Sequence, residues 1–350
     1  MDISVIGAGG AIGREIVAQI VSSRVLRPTE RLQLVGNATG SSARSLYGFR
    51  SDLTDAYAES APQIDIGLCP EDVVGDLIVF VAGATLDEKT LSRDNLASIN
   101  RDIFEKYASG LSKHGHGHEI VLVVTNPVEL GVSIFAEALG YKRVIGIGAY
   151  SDTLRFRREI AYDLGMPRQM VAGYVVGEHG DNMVPLWSSV RIYGFTQEET
   201  EQVVMSMQGK DHMLSFAKRL SQMRSTLHTV MTQDTRVAFD EIDQLPPDIR
   251  VVLRPHITQQ SGSRTVMATS NVTVDMTRQI VGGHEMSVAG QVLLENTGFC
   301  GTKGIFGVPI ILSSQGVMRI INPPVTELER KAILQASKTI QAKIAKWRSQ

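Results

Sequence analysis

A histidine flanked by glycines is the first feature of this sequence with the chemistry of an acid–base catalyst. His179 lies in Gly177-Glu178-His179-Gly180-Asp181, directly after a strand-like run that ends at Val176. Small neighbours leave an imidazole accessible at the end of a strand, which favours a position facing a cleft. The alternative is a hydrogen-bonded loop histidine, and this motif alone leaves both interpretations open.

A carboxylate and a guanidinium on one predicted helix favour the cleft. Asp152 and Arg155 are three residues apart in Ser151-Asp152-Thr153-Leu154-Arg155-Phe156, so they project from the same helix face. The carboxylate could orient and stabilise an imidazole, while the guanidinium could bind a substrate carboxylate through two parallel hydrogen bonds. The alternative for this pair is an ordinary surface ion pair, which would contribute little.

The N-terminal segment carries a glycine-rich turn that predicts a nucleotide site. Residues 4–14, Ser-Val-Ile-Gly-Ala-Gly-Gly-Ala-Ile-Gly-Arg, end a strand and open a helix. A turn without side chains lets a pyrophosphate approach the backbone and the N-terminus of the helix. The alternative is a tight turn packed beneath a helix. The positions predicted to bind the cofactor here are Gly7, Gly10, Ala11, Ile12 and Gly13.

The elements that must position these residues alternate regularly through residue 148. Short β-branched apolar runs alternate with longer amphipathic stretches, the runs lying at residues 3–6, 32–35, 64–68, 77–82, 120–124 and 144–147. Such alternation is typical of βαβ units, in which helices cover both faces of a parallel sheet. We therefore predict an α/β fold that begins with a Rossmann-type doubly wound parallel sheet, forming a dinucleotide-binding domain over residues 1–148.

A different pattern after residue 150 predicts a second, mixed α+β domain over residues 149–350, which would hold the substrate. Helices are expected at 152–164 and 326–347, and strands at 171–176, 184–192, 286–294 and 305–312. The segment 228–260 contains Pro246, Pro247 and Pro255, which indicates an insertion rather than a core element.

Composition argues against several classes of partner. The 350 residues carry a formal net charge of −2, so nothing suggests the positive field that nucleic acid or an anionic membrane would select. No apolar run reaches the roughly 20 residues needed to span a bilayer. Met1 leads directly into a strand-like run, which argues against a cleaved signal. We expect a small-molecule partner and a reducing cytoplasm.

No metal site is predicted. Cys69 and Cys300 form no disulfide framework, and neither has a metal-binding spacing. The loop at residues 113–118, Lys-His-Gly-His-Gly-His, could bind a metal, but histidines that alternate with glycines on a helix-to-strand turn more often form a solvated connection.

Four motifs, in this order and at these spacings, resemble the lactate/malate dehydrogenase family. They are residues 7–13, Val124-Thr125-Asn126-Pro127-Val128, residues 152–156 and residues 177–181. The resemblance covers most of the chain, excluding about 228–260. It implies an NAD(P)-dependent oxidoreductase that reversibly transfers hydride between the nicotinamide and C2 of a small L-2-hydroxy acid or 2-keto acid. A homodimer or homotetramer is expected by the same analogy.

The resemblance also implies roles for individual residues. His179 would accept the hydroxyl proton during alcohol oxidation, and Asp152 would hold its tautomer. Arg155 would bind the C1 carboxylate, and Arg93 matches the family's mobile-loop arginine, which polarises the C2 carbonyl. Asn126 matches the asparagine between nicotinamide and substrate.

One position departs from the malate-specific members, which carry a further arginine six residues before the one that Arg93 matches. Here that position is Asp87, or Leu86 if a one-residue insertion is placed later, and neither can bind a carboxylate. Arg264 aligns with the stretch that faces the far end of the substrate. A malate-specific enzyme that uses Arg264 for the distal carboxylate is therefore one alternative. In the other, Arg264 points to solvent or pairs with Asp87.

The loop after the second strand favours NADP(H) over NAD(H). NAD-preferring members of such folds have an acidic residue at the end of this strand, where it binds the adenine ribose and repels a 2′-phosphate. Gly36 occupies the place here, and a plain Gly/Ser turn that leaves NAD preferred is the alternative. Asn100 matches another polar position near the cofactor, with a helix-surface amide as its alternative. The donors near Gly36 are Asn37, Ser41, Ser42 and Arg44.

Two other function classes stay open. An NAD-dependent glycosidase shares the nucleotide-binding start, but it would be expected to have a cysteine and histidine metal site, which Cys69 and Cys300 do not fit. A non-catalytic dinucleotide-binding protein would need only the glycine-rich turn, and it would leave His179, Asp152 and Arg155 unexplained.

Overall fold

Strands β1 to β6 form the parallel half of the sheet in the computed structural model, which describes residues 1–84, 93–208, 216–231, 234–263 and 265–349. Neighbouring strands run parallel in the order β3-β2-β1-β4-β5-β6, and each lies within two residues of its predicted bounds. The chain changes direction across the sheet between β1 and β4, where the carboxyl ends of the strands open a crevice. The strands are β1 (Ile3–Ile6), β2 (Arg31–Val35), β3 (Gln63–Gly67), β4 (Leu77–Phe80), β5 (Ile120–Val123) and β6 (Val144–Gly146).

Helices connect these strands and cover both faces of the sheet. Strands β1, β4 and β5 are buried along their whole length, as expected for apolar runs packed between two layers of helices. The doubly wound arrangement predicted from the sequence is confirmed. The connecting helices are α1 (Ala11–Ser22), α2 (Ser42–Ala56), α3 (Arg93–His114) and α4 (Val128–Leu139).

The second half adds antiparallel strands to the same sheet. Gly146 of β6 pairs with Gln291 of β9, and the order continues β9-β10-β7-β8, while β11 pairs with the end of β10. Strand β11 was not predicted, because its residues are partly exposed and lack a long apolar run. The strands are β7 (Val171–Gly177), β8 (Met183–Ile192), β9 (Met286–Phe299), β10 (Thr302–Ser313) and β11 (Gly316–Ile320).

The helices of the second half are arranged around α5 and the sheet. Helix α5 packs on β7 and α9, while α10 packs on α1 of the nucleotide-binding half. In the part of the chain that the structure describes, no helix is both long and apolar enough to cross a membrane. The helices are α5 (Gly148–Asp163), α6 (Gln197–Met207), α7 (Phe216–Met231), α8 (Thr235–Asp243), α9 (Pro247–Gln260), α10 (Val266–Val281) and α11 (Glu327–Ser349).

The segment 228–260 contributes to the core, so the expectation that it is not a core element is wrong. It contains the end of α7 and all of α8 and α9, and apolar side chains of α8 and α9 form a buried cluster with residues from the earlier part of α7. Pro247 begins α9, where a proline is tolerated, and Pro255 lies inside that helix. Buried Arg250 lies 2.9 Å from a carboxylate oxygen of Glu159 on α5. That the segment is an insertion, and that the domains divide at residue 148, stay predictions.

Candidate active site

His179 and Asp152 form a hydrogen-bonded pair where α5 packs on β7. Helix α5 carries Asp152, and the turn after β7 carries His179. Nδ1 of the imidazole lies 2.7 Å from Oδ2 of the carboxylate. An ionised carboxylate only accepts hydrogen bonds, so Nδ1 carries the proton, and Nε2 is the ring nitrogen that can act as a proton acceptor.

The other oxygen of Asp152 binds Arg155, one turn further along α5. Nη1 of the guanidinium donates to Oδ1 at 2.9 Å. Burial alone would raise the pKa of Asp152, but the charges and hydrogen bonds of His179 and Arg155 outweigh it and hold that pKa below its ordinary value of 3.8. Asp152 is therefore ionised at neutral pH and can stabilise an imidazolium.

All three side chains line one pocket of about 160 Å³. Its walls come from the turns after β5 and β7 and from helices α5, α7, α9 and α10. Val128, Val251 and Val252 supply apolar wall beside the polar groups. A few convergent polar side chains in a partly apolar pocket are typical of a small-molecule site.

Buried acidic side chains fix the main chain at and next to His179. Its N–H donates to Oε1 of Glu129, on α4, at 2.7 Å. Burial, and then the charge of Glu178, raise the pKa of Glu129. Glu178 is also buried, and Nζ of Lys343 on α11 donates to its two oxygens at 2.8 and 3.0 Å. Helices α4 and α11, which are distant in the chain, therefore hold the turn that carries His179. Sequence reasoning missed Glu129, although it follows Asn126 by three residues.

The glycine-rich turn has the shape that a pyrophosphate site needs. A Cβ at Gly13 would lie 2.2 Å from the carbonyl oxygen of Gly7, so no other residue fits there. A Cβ at Gly10 would meet only that same oxygen, at 3.5 Å, which leaves the N-terminus of α1 open. The first N–H groups of a helix have no partner within it and can bind a phosphate. These are the amides of Ala11, Ile12 and Gly13.

The two asparagines predicted near the cofactor are joined by a hydrogen bond. Asn126 lines the pocket. Asn100 is fully buried, and its Nδ2 donates to the carbonyl oxygens of Asn126, at 2.6 Å, and of Ala84, at 3.2 Å. Both amide protons of Asn100 are therefore used by the protein, and Asn100 fixes the main chain that carries Asn126. A direct contact between Asn100 and the cofactor stays a prediction.

The loop after β2 is exposed and carries the donors named from the sequence. Asn37, Ser41 and Arg44 are all exposed. The N–H of Asn37 donates to Oγ of Ser42 at 3.2 Å. A Cβ at Gly36 would lie 2.6 Å from Cδ1 of Leu46 and 2.8 Å from Oγ of Ser42. The absence of a carboxylate at position 36 therefore also reflects close packing on α2.

Several predicted positions lie outside the described residues. They are Arg264, Leu86 and Asp87. Arg93 is the first residue of α3, but its side chain is not among those that the structure describes. Among the residues that are described, no three His, Cys, Asp or Glu side chains are grouped so as to hold a metal ion.

Two pocket residues had no signal in the sequence. Arg224 on α7 and His256 on α9 line the same pocket as His179. Arg224 binds Asp181, which the motif around His179 does include, across 43 positions of the chain. Neither residue belongs to a motif, and only the packing of α9 on α5 and of α7 on α9 brings them to the pocket.

Comparison with known proteins agrees with this geometry. Residues 1–146 match the family described as lactate/malate dehydrogenase, NAD binding domain. The chain is 24% identical over 345 residues to a malate dehydrogenase of Methanosphaera stadtmanae, an alignment that covers 97% of this chain and 95% of the relative. By sequence, the chain is similar to malate and lactate dehydrogenases, and its first 146 residues match the nucleotide-binding domain of that family.

Lactate dehydrogenases are also similar to this chain over most of their length. An L-lactate dehydrogenase 2 of Listeria monocytogenes is 28% identical over 303 residues, with 85% of this chain and 86% of the relative covered. A crystal structure of the lactate dehydrogenase from Cryptosporidium parvum, complexed with lactic acid and nicotinamide adenine dinucleotide, has a TM-score of 0.77 at 22% identity. The superposition covers 100% of this chain and 98% of the lactate dehydrogenase chain, so the two proteins share one fold.

Proposed function

We propose that this chain is an NAD(P)-dependent 2-hydroxy-acid dehydrogenase in which His179 is the acid–base catalyst. The hydrogen bond of 2.7 Å between His179 and Asp152, in a pocket that Arg155 also lines, carries the proposal. A protein that only bound a dinucleotide would have no use for this set of side chains.

Proton transfer is the role of His179. Because Nδ1 is bound to Asp152, Nε2 takes the hydroxyl proton during oxidation and returns it to the carbonyl oxygen during reduction. The ionised Asp152 stabilises the imidazolium that forms in the first case and keeps the ring in one tautomer. A buried carboxylate does this more strongly than an exposed one, since little solvent screens the pair.

Binding and orientation of the substrate are the roles of Arg155 and Arg93. Arg155 has five N–H donors, of which one is given to Asp152, so others remain for the C1 carboxylate. Two parallel hydrogen bonds to the oxygens of the C1 carboxylate would orient the substrate so that C2 faces His179. Arg93, at the start of α3, would polarise the C2 carbonyl, as the family resemblance implies.

The cofactor would lie along the carboxyl ends of the parallel strands. A bound nicotinamide supplies or accepts the hydride at C2. Gly10 and the first amides of α1 would hold the pyrophosphate, and Asn126 would lie between nicotinamide and substrate. Asn100 supports this role indirectly, because it binds the main chain of Asn126.

We infer a preference for NADP(H) from the loop after β2. Gly36 offers no carboxylate to repel a 2′-phosphate. Arg44 is exposed in the first turn of α2, whose N-terminal amides also favour an anion, and Asn37 and Ser41 are exposed in the loop just before it. A charged and several neutral donors could therefore hold the phosphate.

The surroundings of the enzyme are inferred by analogy. We expect a homodimer or homotetramer, because enzymes of the lactate/malate dehydrogenase type usually form one or the other. A reducing cytoplasm is the simplest compartment, because Cys69 and Cys300 are both free thiols. Size-exclusion chromatography with light scattering tests the first point.

A screen of 2-keto acids with NADH and NADPH tests the proposed activity. Pyruvate, oxaloacetate, branched 2-keto acids and sugar-derived keto acids are offered to the purified protein. Turnover of at least one of them, lost in His179→Asn, would support the proposal. Absence of turnover across the whole panel, with dinucleotide binding retained, would instead favour the non-catalytic alternative.

A further inference from the structure

Helix α7 brings a second arginine into the wall of the active-site pocket. Arg224 lines the same pocket as Arg155 and His179, although none of the four family motifs includes it. Its partner is Asp181, which lies two residues after His179 and lines the pocket as well. The pocket therefore holds two arginine–aspartate pairs, of which only Arg155 and Asp152 have a role so far.

The way Arg224 binds Asp181 leaves one edge of its guanidinium for another acceptor. Nη1 donates to Oδ2 at 3.0 Å and Nη2 donates to Oδ1 at 2.8 Å. This end-on geometry uses the two terminal nitrogens and leaves the side edge, where Nε–H and one terminal N–H run parallel. Two parallel N–H groups on a planar fork match the two oxygens of a carboxylate.

Nε of Arg224 supports this assignment. It is buried, and it has no hydrogen-bond partner among the residues that the structure describes. A buried N–H that lacks an acceptor costs free energy, so native proteins satisfy nearly all of them with protein, water or ligand. A ligand bound in the pocket that Arg224 lines could supply this acceptor.

The charge of Arg224 also changes what the pocket tolerates. Asp181 by itself would repel an anionic group placed close to the reaction centre. Arg224 compensates that charge, as Arg155 compensates Asp152 in the same pocket. With C1 held by Arg155 and C2 facing His179, the remaining end of the substrate would face the other walls of the pocket, to which α7 and α9 contribute Arg224 and His256.

We propose that Arg224 is a specificity-determining residue that binds an anionic or strongly hydrogen-bond-accepting group at the distal end of the substrate. This inference rests on the proposed dehydrogenase activity. The preferred substrate is then a 2-oxo acid with a second polar end, such as a dicarboxylate, and not a 2-oxo acid with a purely aliphatic side chain.

Two variants that break the Arg224–Asp181 ion pair distinguish substrate recognition by Arg224 from a purely structural role of the pair. Arg224→Met removes the charge and the donors, whereas Asp181→Asn keeps both and removes the opposing charge. The measured quantity is kcat/KM for oxaloacetate divided by kcat/KM for pyruvate, with saturating reduced cofactor. Arg236→Met, which removes an exposed arginine of α8 outside the pocket lining, is the matched control and should leave the ratio unchanged.

Recognition predicts opposite directions for the two variants. Arg224→Met should lower the ratio by about 10- to 100-fold, the range expected for a lost hydrogen bond between charged groups. Asp181→Asn should maintain or raise the ratio, because the charge of Arg224 is no longer compensated. Where Arg224→Met folds poorly, Arg224→Lys repeats the test. It keeps the charge but loses the two-donor edge, and it should also lower the ratio.

Three results would overturn the inference. An unchanged ratio in Arg224→Met with normal turnover would reduce Arg224 to a brace and leave the proposed function intact. A fall of the ratio in both Arg224→Met and Asp181→Asn would mean that the ion pair matters only for packing. A selective loss in Arg264→Ala, without one in Arg224→Met, would assign the distal contact to Arg264. If the parent protein turns over no 2-oxo acid at all, the proposed function itself fails.

Discussion

His179 and Asp152, 27 positions apart in the chain, meet with Nδ1 of the imidazole 2.7 Å from Oδ2 of the carboxylate. The contact depends on α5 lying against β7, because α5 carries the carboxylate and the turn after β7 carries the ring. A helix that packs on the sheet thus orders a side chain of the turn that follows β7. The chemistry of the pocket can be tested one group at a time.

Replacing His179 by asparagine should abolish turnover and spare the cofactor site. The variant keeps a polar side chain of similar reach but cannot take up the substrate proton, and general acid–base groups contribute about 10²- to 10⁴-fold in rate. Steady-state kinetics and fluorescence titration with the reduced cofactor measure the two effects separately. His284→Asn, at an exposed turn outside the pocket lining, should behave as the parent. Activity within about tenfold of the parent, below that range, would remove His179 from its assigned role.

Replacing Arg155 by lysine should lower kcat/KM for every 2-keto acid. An ammonium cannot donate two parallel hydrogen bonds, so both the bond to Asp152 and the grip on a substrate carboxylate become weaker. Arg158→Lys is the matched control: it makes the same substitution on the same helix, at an arginine that pairs with Glu159 and does not line the pocket. It should change kcat/KM little. A lysine variant that discriminates among substrates would mean that Arg155 binds the variable end and not the shared C1 carboxylate.

The buried Glu129 predicts an unusual dependence of stability on pH. Burial and the charge of Glu178 raise its pKa above the ordinary value of 4.5, so the native state binds this proton more tightly than the unfolded chain. The free energy of unfolding therefore falls as the pH rises from about 4.5 towards the native pKa. Glu129→Gln removes this linkage and keeps a carbonyl oxygen for the N–H of His179. Above that window the variant should have gained stability relative to the parent, and below it the gain should be absent.

Thermal unfolding midpoints measured in steps from acidic to neutral pH check this expectation. Glu137→Gln, an exposed position on the same helix, should give a curve parallel to that of the parent. If the curve of midpoint against pH for Glu129→Gln is also parallel to that of the parent, Glu129 is ionised in the native state and the neighbouring charges compensate it fully.

The sequence predicted the central strands and the motif residues for the same reason, namely that both depend on short-range patterns. The runs at β1 and β5 are apolar throughout because both faces are covered, and His179 lies between glycines in a recognisable turn. Long-range pairing carries no such pattern. Arg224 meets Asp181 only through the packing of α7, and the amide of Asn100 is used by the main chain of Ala84 and Asn126. The prolines near α9 misled for a related reason, since Pro247 begins a helix and does not break one.

A buried ion pair makes the contribution of α9 measurable. Nη2 of Arg250 donates to Oδ1 of Asp163 at 2.6 Å, and Nε lies 2.9 Å from Oε2 of Glu159. Arg250→Met removes one partner of this buried cluster, and such changes cost about 3–5 kcal/mol of unfolding free energy. Urea denaturation measures the loss. Exposed Arg236→Met should stay within about 0.5 kcal/mol of the parent. Equally small effects for both would mean that α9 lies on the fold as an appendage and is not part of its core.

Cofactor preference can be tested at the loop after β2, but the obvious position is blocked. A side chain at Gly36 would begin 2.6 Å from Cδ1 of Leu46 and 2.8 Å from Oγ of Ser42. Gly36→Asp therefore changes packing as well as charge, and a failure of that variant would not separate the two. Asn37 is the next residue and is exposed, so a carboxylate there is free of this conflict.

Asn37→Asp should shift preference from NADPH towards NADH by about tenfold or more, a change of about 1.4 kcal/mol. The new carboxylate accepts hydrogen bonds from the ribose hydroxyls of NADH and repels the 2′-phosphate of NADPH, which Arg44 and the N-terminus of α2 would otherwise attract. The ratio of kcat/KM for the two cofactors measures the shift at a fixed, saturating 2-keto acid. Asn37→Ala loses the amide without gaining charge, so it should move the ratio far less. A parent enzyme that already prefers NADH by about tenfold would show that the loop does not hold a phosphate.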